Sequence, residues 1–105
     1  MRKIIFNSTA EIEFMEACAW YQEQSYGLEK KFDLHVKSIL EKIRSNPFMY
    51  QKLRYSSERR APLQPYPYVI IYRIINEDII ISAIFNTYRE STKWQINETL
   101  ATYNL

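Results

Sequence analysis

The side chains best able to meet a charged ligand are grouped in the middle third of the chain. Between Met49 and Ile75 there are five cations, Lys52, Arg54, Arg59, Arg60 and Arg73, against one acid, Glu58. Tyr50, Tyr55, Tyr66, Tyr68 and Tyr72 are interleaved with them. Cations neutralise phosphate and rings stack on bases, so this pattern suits a nucleic-acid strand. It equally suits an acidic peptide. Its plain alternative is a solvated sheet edge, where lysine and arginine are common. The flanks carry no such bias: seven basic and seven acidic residues lie from Met1 to Phe48, and two basic and four acidic from Asn76 onward. The net charge of +2 is too small to demand a nucleic-acid partner.

Further candidates follow this zone. Tyr88, Arg89 and Trp94 lie beyond the last strongly apolar run, "IIISAIF". With the five cations, Arg89 and Trp94 form the set of target- or partner-binding candidates. Arg60, Arg89 and Tyr88 are the catalytic candidates. Such residues suit RNA cleavage, because cations stabilise a pentacoordinate phosphate and the 2′-hydroxyl is its own nucleophile. The plain alternative is that arginines at strand ends are solvated or pair with Glu58 and Glu90. The sequence has no P-loop, no GxSxG and no metal-ligand cluster, so no cofactor or metal is expected. His35, the only histidine, stands inside a helical pattern without a partner at ligand spacing and is taken as a packing or surface residue. Cys18, the only cysteine, excludes an internal disulfide and a Cys-rich zinc site; a buried reduced thiol is expected. Glu11, Glu13 and Glu16 suggest a solvated helix face plus a cap.

A chain of 105 residues supports a single domain, 1–105, with one modest core. At 47% hydrophobic and 25% charged residues the composition is that of an ordinary soluble globular domain. No apolar run approaches the ~20 residues that span a bilayer. "MRKIIFNS" lacks the apolar core of a signal peptide. A cytoplasmic location without membrane contact is the default expectation.

The elements that must position the candidates follow from periodicity. "RKIIFN" predicts a short strand. Ser8 as N-cap with Glu11 three residues on predicts a capping box and a helix to about Ser25. Within it Ile12, Met15, Ala19 and Gln22 share one face, with Phe14, Cys18 and Tyr21 close beside. Gly27 breaks the pattern. Leu28, Phe32, Val36, Ile39, Leu40 and Ile43 form a stripe at helical spacing, ended by Pro47. Two helices with a short link imply an antiparallel hairpin. The polar stretch after Pro47 is expected to be a loop leading into a strand around Arg59 to Gln64. "YVIIYRII", a turn "NED" and "IIISAIF" predict an antiparallel β-hairpin.

Alternation places Tyr68, Ile70, Tyr72 and Ile74 on the face toward the helices, and Val69, Ile71, Arg73 and Ile75 on the other. Both faces are apolar, so this strand is expected to be central. Arg59 and Arg60 are expected on its neighbour, with Pro62, Pro65 and Pro67 shaping the turn between them. A short helix is expected near Ser91. The class is α+β: an N-terminal strand and an antiparallel helical hairpin packed on a small, mainly antiparallel sheet, in the order β-α-α-β-β-β.

The segments "EACAWYQEQSYGLEKKF", "SNP", "RRAPLQPYPYVIIYRI" and "IIISAIFNTYRESTKW", in this order and spacing, resemble the RelE/ParE superfamily of type II toxin–antitoxin toxins. The resemblance runs from about Ile4 to Trp94. It implies the fold just described, a cognate antitoxin and inhibition of bacterial growth. The apolar and basic surface left outside the core needs a cover, so the antitoxin's C-terminal segment is expected to fold on it. RelE-like members are ribosome-dependent mRNA endonucleases. Aligned on their pattern, Arg60 and Arg89 keep a basic residue, whereas Pro62 and Val69 fall on basic positions and Trp94 or Gln95 falls near the catalytic tyrosine. Loss of one transition-state cation typically costs ~2.7–4 kcal/mol of barrier. ParE-like members poison DNA gyrase without the nuclease set, and "PYVIIY" with "IFNTYRES" is nearer their pattern, although Asn86 replaces a frequent histidine. The resemblance thus implies a ParE-like gyrase-directed toxin first, a RelE-like nuclease second, and a degenerate antitoxin-binding module third.

Overall fold

The structure is a computed structural model that describes residues 2–88. The elements are β1 (Ile4–Phe6), α1 (Ser8–Gln24), α2 (Leu28–Ser45), β2 (Arg59–Pro62), β3 (Tyr68–Ile75) and β4 (Asp78–Asn86). The expected order is therefore met. Arg89, Trp94 and the helix expected near Ser91 lie outside the described residues.

Helix α2 follows its apolar stripe closely. Phe32, Val36, Ile39 and Ile43 are buried, and Leu28 and Leu40 pack against the same core. Burial of each such side chain contributes about 1.5–3 kcal/mol. Gly27 precedes the helix at φ +83°, a left-handed conformation that glycine adopts without strain. The helix closes on Asn46, whose N–H donates to the Lys42 carbonyl, immediately before Pro47.

Helix α1 departs from expectation at two points. Its N-cap is Asn7, whose Oδ1 accepts from the Ala10 N–H at 2.8 Å; Ser8 is already in the first turn. Asparagine and serine are equally competent caps, and Asn7 is fixed as the last extended residue because its own N–H donates to the Ile81 carbonyl of β4. The face Ile12–Met15–Ala19–Gln22 turns to solvent, with Ile12 57% and Met15 62% exposed. The core side consists of Ala10, Phe14, Ala17, Cys18 and Tyr21. Apolar residues stand on both sides of this helix, so periodicity alone could not choose between them.

The sheet has the order β1-β4-β3-β2. Strand β1 is parallel to β4, and the other two pairs are antiparallel. The turn between β3 and β4 is two residues rather than three: Ile75 pairs with Asp78, and Asn76 takes φ +56°. Strand β2 ends at Pro62, two residues earlier than expected, because the chain then turns through Leu63–Pro67.

The facing of β3 is as expected. Tyr68, Ile70, Tyr72 and Ile74 pack in the helix-side core, whereas Val69 and Ile71 join Ala83 in a second cluster on the opposite face. Leu53, from the polar stretch after Pro47, packs on that second cluster, as does Phe85. Strand β4 carries an irregularity between its pairs with Ile71 and Tyr72 that leaves Ser82 unmatched. The extra residue switches parity, so Ile79, Ile81 and Ile84 all reach the helix side while Ala83 does not. Beyond Ile81, β4 has no β1 partner, because β1 ends at Phe6. Glu13 of α1 fills that place: its Oε1 accepts from the Ile84 N–H at 2.9 Å. Glu13 is therefore a tie between helix and strand, not part of a solvated face.

Candidate functional site

The site forms where β2 ends, β3 begins and β4 ends. Between β2 and β3 the chain turns tightly. Leu63 N–H donates to Tyr68 O at 2.9 Å, Tyr66 N–H to Leu63 O at 3.0 Å, and Tyr68 N–H to Tyr66 O at 2.8 Å. The Gln64–Pro65 bond is cis. The end of β4 is tied to the same turn, with the Thr87 N–H and hydroxyl both donating to Pro67 O, at 2.8 and 3.1 Å. Tyr88 follows, its N–H donating to Asn86 Oδ1 at 2.9 Å. The proline turn thus becomes a fixed wall, Pro65-Tyr66-Pro67, facing the exit of the last strand.

Helices hold this wall from behind. The Phe32 ring lies 5.1 Å from Tyr66 and 4.8 Å from Tyr21, and Tyr21 lies 5.4 Å from Tyr66. Burial first, then the neighbouring Tyr68 and Tyr66 hydroxyls, push the Tyr21 phenol up to about 12. His35 stands behind the same ring, 5.4 Å from Tyr66, in a packing position. Cys18 is half-buried and free. Burial and the nearby Asp33 and Glu29 push its thiol up, so it is a poor nucleophile.

A groove opens on each side of the wall. One, of about 610 Å³, is lined by Arg60, Pro62, Gln64, Val69, Thr87 and Tyr88 as well as the wall itself. The other, of about 600 Å³, is more apolar and reaches Trp20, Tyr21, Leu28 and Asn86. Tyr88 lines both and is 83% exposed.

The structure divides the candidate cations into different settings. Arg60 lies opposite Ile71, on the sheet face away from the helices, and is half-buried in the polar groove with Tyr88. Arg59 lies opposite Tyr72, on the helix side. Its guanidinium donates to Tyr50 O at 2.7 Å and Phe48 O at 3.3 Å, and sits 5.4 Å over the Phe48 ring. That geometry fastens the loop after α2. The same loop is held by Tyr72, whose buried hydroxyl donates to Pro47 O at 2.6 Å. Burial pushes the Tyr72 phenol up to about 12, a shift that the Arg59 charge reduces.

Arg54 lies over the Tyr55 ring at 5.3 Å, and Lys52 is exposed beside β2, where it bridges Arg59. Arg73 is exposed further along the same sheet face as Arg60. Only Arg60 and Tyr88 among the described candidates meet in one groove. Gln64 and Thr87 also line it and were not anticipated. The proline punctuation around Gln64 and the position of Thr87 just past the last strand were the available signals.

The family described as ParE toxin of type II toxin-antitoxin system, parDE, matches residues 4–90. The chain belongs to the ParE toxin family. No curated protein matches the sequence. Two solved structures share the fold. The chromosomal ParDE TA system from P. aeruginosa aligns with a TM-score of 0.61 and 19% identity, over 82% of this chain and 96% of that one. The YoeB-YefM complex from Staphylococcus aureus aligns with a TM-score of 0.59 and 16% identity, over 80% and 94%. For a ParE-family chain, the matched range contains both grooves and every described candidate residue. Among the described residues no group of histidine, cysteine and carboxylate side chains has the arrangement of a metal site. No helix described is long and apolar enough to cross a membrane.

Proposed function

We propose that this ParE-family toxin inhibits bacterial growth from the cytoplasm by binding DNA gyrase, without chemistry of its own, and that a cognate antitoxin neutralises it. The observation that carries this reading is the make-up of the polar groove. Among the described residues lining it, Arg60 is the only cation. Pro62 and Val69 occupy the positions where a RelE-like nuclease pattern would place further cations, and they pair with each other across β2 and β3. A single guanidinium beside a phenol anchors an acidic or phosphate group well, but it leaves most of a pentacoordinate transition state uncompensated.

Purified protein should inhibit supercoiling by gyrase, and Arg60→Ala should weaken that inhibition without loss of folding. A RelE-like ribosome-dependent endonuclease is the second reading. The pairing of Arg60 with the exposed Tyr88 is what favours it. Mapping of mRNA 5′ ends after induction separates the two: new ends at ribosome-protected positions, with supercoiling unaffected, would select the nuclease.

The antitoxin part rests on surface character. The sheet face away from the helices combines Arg60 and Arg73 with Ile5 and Ile75, which are 44% and 45% exposed. An acidic amphipathic segment supplies both kinds of contact and would order on binding.

A further inference from the structure

The loop that joins Ser45 of α2 to Arg59 of β2 holds cations that neither groove uses. It also places three large apolar side chains in solvent: Phe48, Met49 and Tyr55, at 60%, 50% and 61% exposure. Two of the three are rings, and each has guanidinium against it. The Arg2 and Arg59 guanidiniums lie 5.8 and 5.4 Å from the centroid of the Phe48 ring. The Arg54 guanidinium lies 5.3 Å from that of Tyr55. Between the two stacks in sequence stands Lys52, exposed and bridged to Arg59 through the backbone.

This charge is not answered by acids. Glu58 is the one acid from 46 to 58, and Glu77 offers Arg2 its backbone carbonyl, at 3.5 Å. Among the described residues no carboxylate forms an ion pair with Arg2, Lys52, Arg54 or Arg59.

The backbone at Tyr55 is a second observation. The loop tightens there: Leu53 N–H donates to Glu58 O at 2.7 Å, Ser56 N–H to Leu53 O at 3.3 Å, and Glu58 N–H to Ser56 Oγ at 3.0 Å. Within this turn Tyr55 takes φ +59°. That is the left-handed region, where a bulky side chain is an outlier and glycine is unstrained. None of the three bonds that close the turn uses the Tyr55 side chain. A tyrosine thus stands in solvent at a position whose conformation suits glycine, so its ring is placed for contact rather than for folding.

We propose that this loop is a binding surface for single-stranded nucleic acid, with Arg2, Lys52 and Arg54 meeting phosphates and the exposed rings meeting bases. A single strand presents charge and π-faces in alternation. A duplex keeps its base faces stacked inside, and an acidic peptide offers the charge alone. Arg59 stays with the fold, tied to Phe48 O and Tyr50 O. No residue of the loop lines either groove, so this inference is independent of the target proposed above.

Fluorescence anisotropy of a labelled oligothymidylate of about 16 nucleotides, with the purified chain free of antitoxin, tests it. Binding is expected at about 50 mM salt, and three phosphate contacts give a slope of log K against log salt of about −2. Arg54→Gln should lower the affinity and make the slope shallower by about 0.7, and Lys52→Gln should do the same. Lys31→Gln, the same charge change on the exposed side of α2, should change nothing. Tyr55→Gly should weaken binding at least ~5-fold. It should melt no lower than the parent, because glycine takes φ +59° without strain. Tyr55→Phe should bind as the parent does. Melting curves confirm folding of the variants, whose altered side chains are exposed. No binding up to about 200 µM protein at that salt overturns the proposal. So does unchanged affinity in Tyr55→Gly, which would leave charge alone at work. Binding indifferent to the loop variants but lost in Arg60→Ala would give the strand to the polar groove. Tighter binding of a labelled polyglutamate than of the oligonucleotide would give the loop to an acidic protein partner.

Discussion

Arg59 and Arg60 are neighbours in sequence with separate tasks, because alternation along β2 sends them to opposite faces. Arg59 ties down the loop after α2 through two carbonyls. Arg59→Ala should therefore destabilise the fold, by about 1–2 kcal/mol for charge-assisted bonds of this exposure. Thermal melting checks this, and loss of growth inhibition would follow loss of fold. Arg60→Ala should leave the melting temperature unchanged and weaken growth inhibition at matched expression. Arg60→Lys should rescue only in part, because a point charge does not reproduce the guanidinium fork. The adjacent arginines were visible in the sequence, but which one was free depended on where Tyr50 and Phe48 would lie, a long-range property.

Tyr72 supplies a pH test at the same scale. Its folded phenol, like that of Tyr21, is raised to about 12 from the ordinary value of 10.0. The unfolded state then loses its protons first as pH rises. Stability from these groups is complete below pH ~10 and disappears between ~10 and ~12. Denaturant midpoints should be flat with respect to these tyrosines up to pH ~10 and then fall, less steeply in Tyr72→Phe. A midpoint that rises across this window would contradict the assignment.

At the scale of elements, α1 separates local signals from tertiary ones. Asn7→Ala should cost ~0.5–2 kcal/mol, and Ser8→Ala only a few tenths, because the cap bond belongs to Asn7. Equilibrium unfolding of the two variants distinguishes them, and a reversed order would restore the capping box. Helix α2 was legible throughout, since one apolar stripe opposes one charged face. In α1 the inner and outer faces are both apolar, and only the packing of Ala10, Ala17 and Tyr21 reveals which is buried. Strand β3 was legible in both bounds and facing. Strand β4 was legible in existence but not in parity, because the irregularity at Ser82 shifts every later residue to the other face. The wall Pro65-Tyr66-Pro67 was readable as a turn, but its closeness to Thr87 and Tyr88 required the β3–β4 register.

At the scale of the molecule, charge is distributed by face rather than by total. The sheet side is basic and apolar, and α1 is acidic and apolar. A small acidic partner encoded beside this chain should form a complex that survives gel filtration and buries more than ~1,000 Å². Its binding should protect the amides of β3 and β4 from hydrogen exchange more than those of α1. Protection confined to α1 would place the antitoxin on the wrong face. Type II toxin–antitoxin membership follows from the family match over residues 4–90, whereas the identity of the target rests on the groove around Arg60.

That target is most directly tested by gyrase supercoiling with purified parent and Arg60→Ala, alongside mapping of mRNA 5′ ends in cells expressing the parent. The parent is expected to inhibit supercoiling, Arg60→Ala to inhibit it more weakly at equal folded concentration, and no new mRNA ends to arise. Full supercoiling in the presence of the parent, together with new ends inside translated codons, would contradict this target.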